Sequence, residues 1–305
     1  MQQIPRCQVV PQPNQAVSFQ VEGQERLAWH FGTNHARPFF YPLLGPAGRS
    51  LTRIGHPGAP DHDHHLSIWF AHHKVAGGVN FWGMSSPAVV RQSRWLAYHD
   101  SDEAALMAVE LHWLDGHDPK PLLKQELVAR VSPTGGGETL LELQATFTPQ
   151  AESLEFGQTN FGFLAVRVAR SLSATFGGGK LSDSEGRVGE PAIFGQTATW
   201  MDYSGPIAND QTEGITFFDH PENPDHPTHW HVRSDGWMGA SACFAKARTI
   251  TKTEPLVLRY LLHAHAGAYD ANRAQAVFQE FAALPGFVVK KGGIPHEAWG
   301  IQRKG

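Results

Sequence analysis

The chain has 305 residues, enough for one large domain or two ordinary ones. Charged residues make up only 18% and the net charge is −4, with lysines and arginines scattered, so the basic footprint of a nucleic-acid binder is missing. Gly (31) and Pro (21) are plentiful beside so few charges, which favours many strands joined by tight turns over long solvated helices.

The opening "MQQIPRCQVVPQPNQ" lacks the apolar run of a leader, so no signal peptide is expected and a cytoplasmic protein is the simplest reading. "AVSFQVEG" and "ERLAWHFG" read as a hairpin, followed by the β-rich "FFYPLLG" and "SLTRIG". "LSIWFAHH" suits either a short helix around His64–Phe70 or a strand. "ALMAVELHWL", "LLKQELVARVSP" and "TLLELQATFTP" read as a meander, with "SPTGGGE" as the turn between the last two. In "FGFLAVRVARSL", Val166 and Val168 point one way and Arg167 the other. "FGGGK" lacks a full phosphate-loop pattern and reads as a turn. "AIFGQTATWMDYSG", "GITFFDH", "HWHVRS", "GASACFAKART" and "PLVLRYLLHAHAG" continue the strand pattern. One helix closes the series: Asp270 can cap "ANRAQAVFQEFAAL", whose Ala274, Val277, Phe278, Phe281 and Leu284 share a face, and Pro285-Gly286 ends it. The expectation is a mostly β chain: residues 1–305 as a single large antiparallel β-sandwich domain, with 270–285 as a short C-terminal helix. The apolar runs are broken by Arg or His and too short to span a bilayer, so no membrane partner is expected. Two cysteines, Cys7 and Cys243, exclude a disulfide framework.

Eighteen histidines are the unusual feature. On a strand, residues i and i+2 face one space, so an H-x-H pair can aim two imidazoles at one ion. Three pairs occur: His62/His64, His229/His231 and His263/His265, with Asp61, Asp63 and Asp219 near the first two. They allow a divalent metal without requiring one, because histidines in loops such as "FDHPENPDHPTHW" also serve to bond the backbone. Arg167 within an apolar strand needs a partner, either a structural carboxylate or a ligand oxygen.

The stretches "RPFFYPLLGPAGRSLTR", "DHDHHLSIWFAHHKVAGGVNFWG", "TATWMDYSG", "FDHPENPDHPTHWHVR" and "LRYLLHAHAG" together resemble the bacterial PmoA-like family, the proteins labelled "methane oxygenase", over about Arg37 to Gly267. The resemblance points to Arg37, Tyr41, Asp61, His62, His64, His65, Trp69, Trp82, Arg167, Trp200, His220, Asn223, Arg233 and His263 as site positions. This chain departs from the family pattern at Asp63, where Pro is expected, and at Leu66-Ser67, where Arg-Gly is usual; His229 and His265 match no family position. The resemblance implies a galactose-mutarotase-like supersandwich and a sugar or glycoside as small-molecule partner. Fold alone does not give function.

Three functions follow as expectations. The first is a carbohydrate-active enzyme, with His62, His64 or His65 paired with His231 or His263 for acid/base chemistry in epimerisation, glycoside cleavage or β-elimination on an oxidised sugar. In it Arg167 holds a hydroxyl, carbonyl or carboxylate, and Trp stacks on the sugar ring. The second is a non-catalytic glycan-binding protein. The third is a metal-dependent oxygenase built on two His and one carboxylate.

Overall fold

The computed structural model describes residues 4–208, 210–292 and 296–305. Two eight-stranded antiparallel sheets dominate it. The first runs in the order Cys7–Gln12, Ala16–Val21, Gln24–His30, Phe39–Leu43, Ile68–His72, Gly162–Arg167, Trp237–Ala240 and Trp230–Arg233. The second runs Lys180–Asp183, Trp200–Ala208, Gln211–Asp219, Leu256–Ala266, Glu138–Pro149, Leu123–Gly135, Ala105–Leu114 and Val89–His99. Their inner faces share one apolar core: Phe19, Phe70 and Val166 come from the first sheet, Val109, Phe147 and Leu258 from the second. The large antiparallel β-sandwich expected from the sequence is therefore present.

Strand periodicity explains the layering. In Ala105–Leu114, Ala105, Met107, Val109, Leu111 and Trp113 alternate into the core, as a period of two requires. The intervening residues face outward, and on the second sheet that outer face is covered twice. The helix Ala271–Ala283, capped by the Asp270 side chain on the Arg273 amide, lays Ala274, Val277, Phe278 and Phe281 on Trp200, Phe218 and Leu261. The C-terminal hairpin Phe287–Lys291/Trp299–Arg303 packs on Leu96, Ala108 and Val128. Each buried aromatic or aliphatic side chain in these covers contributes roughly 1.5–3 kcal/mol.

Several sequence expectations change. The helix alternative for "LSIWFAHH" is wrong: a single 3-10 turn, Pro60–His62, precedes a loop and then the strand Ile68–His72. "SLTRIG" forms only isolated bridges through Ser50, Thr52 and Ile54. "GASACFAKART" is mostly loop, with strand at its ends. Strands at Cys7–Gln12 and Val89–His99, edges of the two sheets, carry too little apolar alternation to have been read as strands.

Candidate active site

The outer face of the first sheet carries a cavity of about 410 Å³. The strands that wall the core build it with their alternate residues. Ile68, Phe70, Leu164, Val166, Trp230, Val232, Met238 and Ala240 enter the core. Trp69, Ala71, Ala165 and Trp237 form a separate apolar cluster on the other side. Register brings them together: Ala165 lies opposite Trp69, and Trp237 lies opposite both Arg167 and Arg233. Trp82 completes a three-indole floor, with ring centroids 5.6 Å (Trp69–Trp82), 5.6 Å (Trp69–Trp237) and 5.1 Å (Trp82–Trp237) apart. Gly239 leaves room for this floor, because a Cβ there would lie 3.0 Å from the Trp237 ring. The indoles are only 1%, 4% and 2% exposed at Trp69, Trp82 and Trp237, so they form a closed base rather than the open stacking platform expected. The half-buried Phe161 is the more open aromatic ring on the wall.

The "DHDHH" loop forms one wall. His62, His64 and His65 lie with ring centroids 5.7 Å (62–64), 5.0 Å (62–65) and 4.4 Å (64–65) apart, and His65 stacks on Trp69 at 5.4 Å. Behind the wall, buried Arg37 donates from Nη1 to the His64 carbonyl (3.0 Å) and from Nη2 to the Trp82 carbonyl (2.8 Å). One guanidinium thus ties two loops together. The Asn80 Oδ1 accepts the Trp82 and Gly83 amides and shapes the second loop.

The opposite wall is a hairpin. Trp230–Arg233 and Trp237–Ala240 are joined through Ser234, Asp235 and Gly236. Gly236 sits at φ 105°, a region that a side chain would strain. This turn brings Asp235 to Arg167, whose Nη1 donates to Oδ1 at 2.9 Å, while His56 Nε2 donates to Oδ2 at 2.8 Å. His56 Nδ1 accepts the Gly58 amide, which fixes that tautomer. His231 donates from Nδ1 to the Asn160 carbonyl at 3.0 Å, leaving Nε2 as its basic nitrogen. His62 likewise donates from Nδ1 to Asp61 at 2.9 Å.

Burial sets the electrostatics. Desolvation, helped by the Arg37 charge and His62, pushes His64 down to about 4. Desolvation, then Arg233, pushes His231 down to about 4. Desolvation lowers His65 furthest, with His64 and Arg167 adding to it. These three are neutral imidazoles at pH 7. For Asp235, burial alone would raise the carboxyl, but Arg167 and His56 outweigh it and hold it below its usual range. The hydrogen bond from His62 lowers Asp61.

Of the residues singled out in the sequence, Asp61, His62, His64, His65, Trp82, Arg167, His231 and Arg233 line this cavity. Trp69 lies in its floor, Arg37 behind its wall, and Tyr41 packs half-buried against the same apolar cluster. The structure separates four others from it. Trp200 bonds Tyr269 under the helix. Asn223 bridges Asp219 and the Arg259 backbone, and His220 lies 4.7 Å from the Phe281 ring. His263 bonds Glu138 at 3.0 Å. All four lie on the second sheet or in the loop that follows Gln211–Asp219, and none of them lines this cavity. Sequence reasoning passed over His56, His73, Asn80, Phe161, Asp235 and Trp237. The Asp-Gly pair in "RSDGW" is a hairpin signal that would have found Asp235 and Trp237. His56, in the loop "IGHPGAP", carried no signal.

Two of the three H-x-H pairs are split between different surroundings. His229 stacks on Phe244 while His231 faces the cavity, and His263 and His265 each bond a carboxylate of their own, Glu138 and Asp202. Among the described residues, no three His, Cys, Asp or Glu side chains are placed to hold one metal ion. Nor is any helix among them long and apolar enough to cross a membrane.

Residues 16–279 match the family described as "Family of unknown function (DUF6807)", and the chain belongs to that family. No curated protein matches it. A solved structure named "Putative kojibiose phosphorylase from human microbiome" is similar over 92% of this chain at 8% identity and a TM-score of 0.30. The chain spans 36% of that protein's length, and a likeness this distant carries no argument about activity.

Proposed function

We propose that the cavity is the active site of a carbohydrate-active enzyme of the PmoA-like kind, working by histidine acid/base chemistry on a sugar or oxidised glycoside. The observation that carries this reading is convergence. His62, His64, His65 and His231 meet Arg167 around one cavity of about 410 Å³, a size that suits a monosaccharide unit.

The roles follow from the hydrogen bonds. Asp61 accepts the His62 Nδ1–H, so Nε2 is the nitrogen left to take a proton, as a carboxylate orients a general base. His62 is also 39% exposed in its side chain, so its proton can exchange with water. His231, with Nε2 as its basic nitrogen, is the second member of the pair. Neutral His64 and His65 bond sugar oxygens without adding charge, and Arg167 polarises a carbonyl or holds a carboxylate. Epimerisation, glycoside cleavage and β-elimination share the need for such a proton-moving pair.

The test is a panel of neutral, acidic and 3-oxidised glycosides, with binding read by tryptophan fluorescence and products by NMR. Turnover of at least one sugar is expected, with His62→Gln lowering the rate about 100-fold or more while binding persists. Wild-type turnover by that variant would remove His62 from the mechanism. Binding of panel members without product would favour a glycan-binding protein, and no binding at all would remove the carbohydrate reading.

A further inference from the structure

We infer that the sugar taken by this cavity is an acidic one, a uronate or aldonate, whose carboxylate binds the Nε/Nη2 edge of Arg167. This rests on the carbohydrate reading above and specifies its substrate class.

The first argument is the free edge of the guanidinium. Arg167 is fully buried, yet it lines the cavity. Only Nη1 is engaged, on Asp235. Among the described residues, Nε and Nη2 have no partner. Their two N–H bonds run side by side, the fork that a carboxylate matches with both oxygens. Leaving that edge unpaired in a buried position is costly, so a complementary anion is strongly favoured there.

The second argument is a count of donors against acceptors. Besides Arg167, the unpartnered buried atoms of the cavity's side chains are the indole N–H groups of Trp82 and Trp237 and Nδ1 of His64 and His65. Guanidinium and indole nitrogens only donate. The acceptors the cavity does offer, one oxygen of Asp61 and the imidazole nitrogens of His62 and His231, belong to its walls, while the oxygens beside Arg167 and the indoles are already used. Asp235 accepts Arg167 on one oxygen and His56 on the other, and Asn80 Oδ1 accepts two amides. A hydroxyl brings a hydrogen that needs an acceptor, whereas a carboxylate brings acceptors alone. A floor rich in donors therefore suits the carboxylate.

The third argument is charge. Arg37 is 2% exposed and bonds two backbone carbonyls, with no carboxylate in contact among the described residues. Its positive charge behind the wall adds to the pull on an anion. The free nitrogens of Arg167 are shielded by neighbouring side chains, so a carboxylate reaches them with a side-chain shift. Trp237, opposite Arg167 in register, is placed to report that shift as a fluorescence change.

The experiment is a calorimetric and fluorescence titration of the whole protein with methyl glucuronide, galacturonate and gluconate. Each is paired with its neutral counterpart: methyl glucoside, galactose or glucose. The methyl ester of methyl glucuronide serves as a ligand of nearly the same shape without the charge. At least one acid is expected to bind about tenfold or more tightly than its neutral partner and its ester. Arg167→Lys, which keeps the charge but loses the fork, is expected to erase that preference. If the variant does not fold, the acid-against-ester comparison on the unaltered protein decides alone. Equal or tighter binding of neutral sugars and ester overturns the inference and leaves the carbohydrate reading standing. Full preference retained in a folded Arg167→Lys also overturns it. Binding of neither class overturns both.

Discussion

Asp235→Asn takes away the carboxylate that Arg167 contacts. Arg167 is fully buried, and Asp235 has a side-chain exposure of 27%. Removing one partner of a buried ion pair costs about 3–5 kcal/mol, because the remaining charge is stranded. Partial exposure of Asp235 reduces that figure. Asparagine also still accepts from one of the two donors, Arg167 or His56, while its amide faces the other. The expected loss is about 2–3 kcal/mol. For a chain of this length that is a fall of about 3–5 °C in Tm. The assay is paired thermal and urea melts from pH 8 downward. Because Asp235 titrates below its usual range in the folded protein, its contribution is complete above the unfolded carboxyl value of about 3.9 and fades as pH falls through and below it. The gap between the two proteins should therefore hold down to about pH 4 and narrow only below it. A gap under about 1 °C at pH 7 would refute the reasoning, since it would mean that Arg167 does not depend on Asp235.

Ser67 sits at φ 63° with a buried, unpartnered hydroxyl, so Ser67→Gly should relieve strain and an unsatisfied group. After glycine's own entropy cost, a gain of about 1 kcal/mol is expected, and an unchanged or lower Tm would contradict it. His64, His72, His220, His231 and His263 are each pushed down to about 4, chiefly by burial. The unfolded chain takes up their protons below about pH 6.5 while the folded chain refuses them, so stability should fall steeply between pH 6.5 and 4; a flat Tm from pH 7 to 5 would count against it. His265 behaves oppositely: burial alone would lower it, but its hydrogen bond to buried Asp202 raises it. Its contribution is complete below about pH 6.5 and fades as pH rises through the folded value, so His265→Gln should cost more at pH 6 than at pH 9 in paired melts.

The legible parts of the fold were those with local signatures. Alternation in "FLAVRV" placed Arg167 opposite its valine neighbours, and that is where it stands. Asp270 announced the helix it caps. What single-strand patterns could not show was which polar face would be covered. His263 and Trp200 alternate outward from the core as His231 does, but the helix packs over Trp200 while Glu138 and Arg273 close around His263. That distinction depends on contacts far apart in sequence. The backbone at Ser67 is left-handed, a conformation that no periodicity in the sequence announces and that glycine adopts more readily than serine.

Because the core and the cavity are the two sides of the same strands, neighbouring residues answer to different selection. Ile68 and Phe70, or Val232 and Met238, serve folding, while Trp69, His231 and Trp237 between and beside them serve the cavity. A slip of one residue in strand pairing would exchange the two roles along its whole length. A deep mutational scan that scores cellular abundance and ligand binding at the cavity separately should therefore trace two interleaved combs along 68–72, 162–167 and 230–240, each with teeth in the other's gaps.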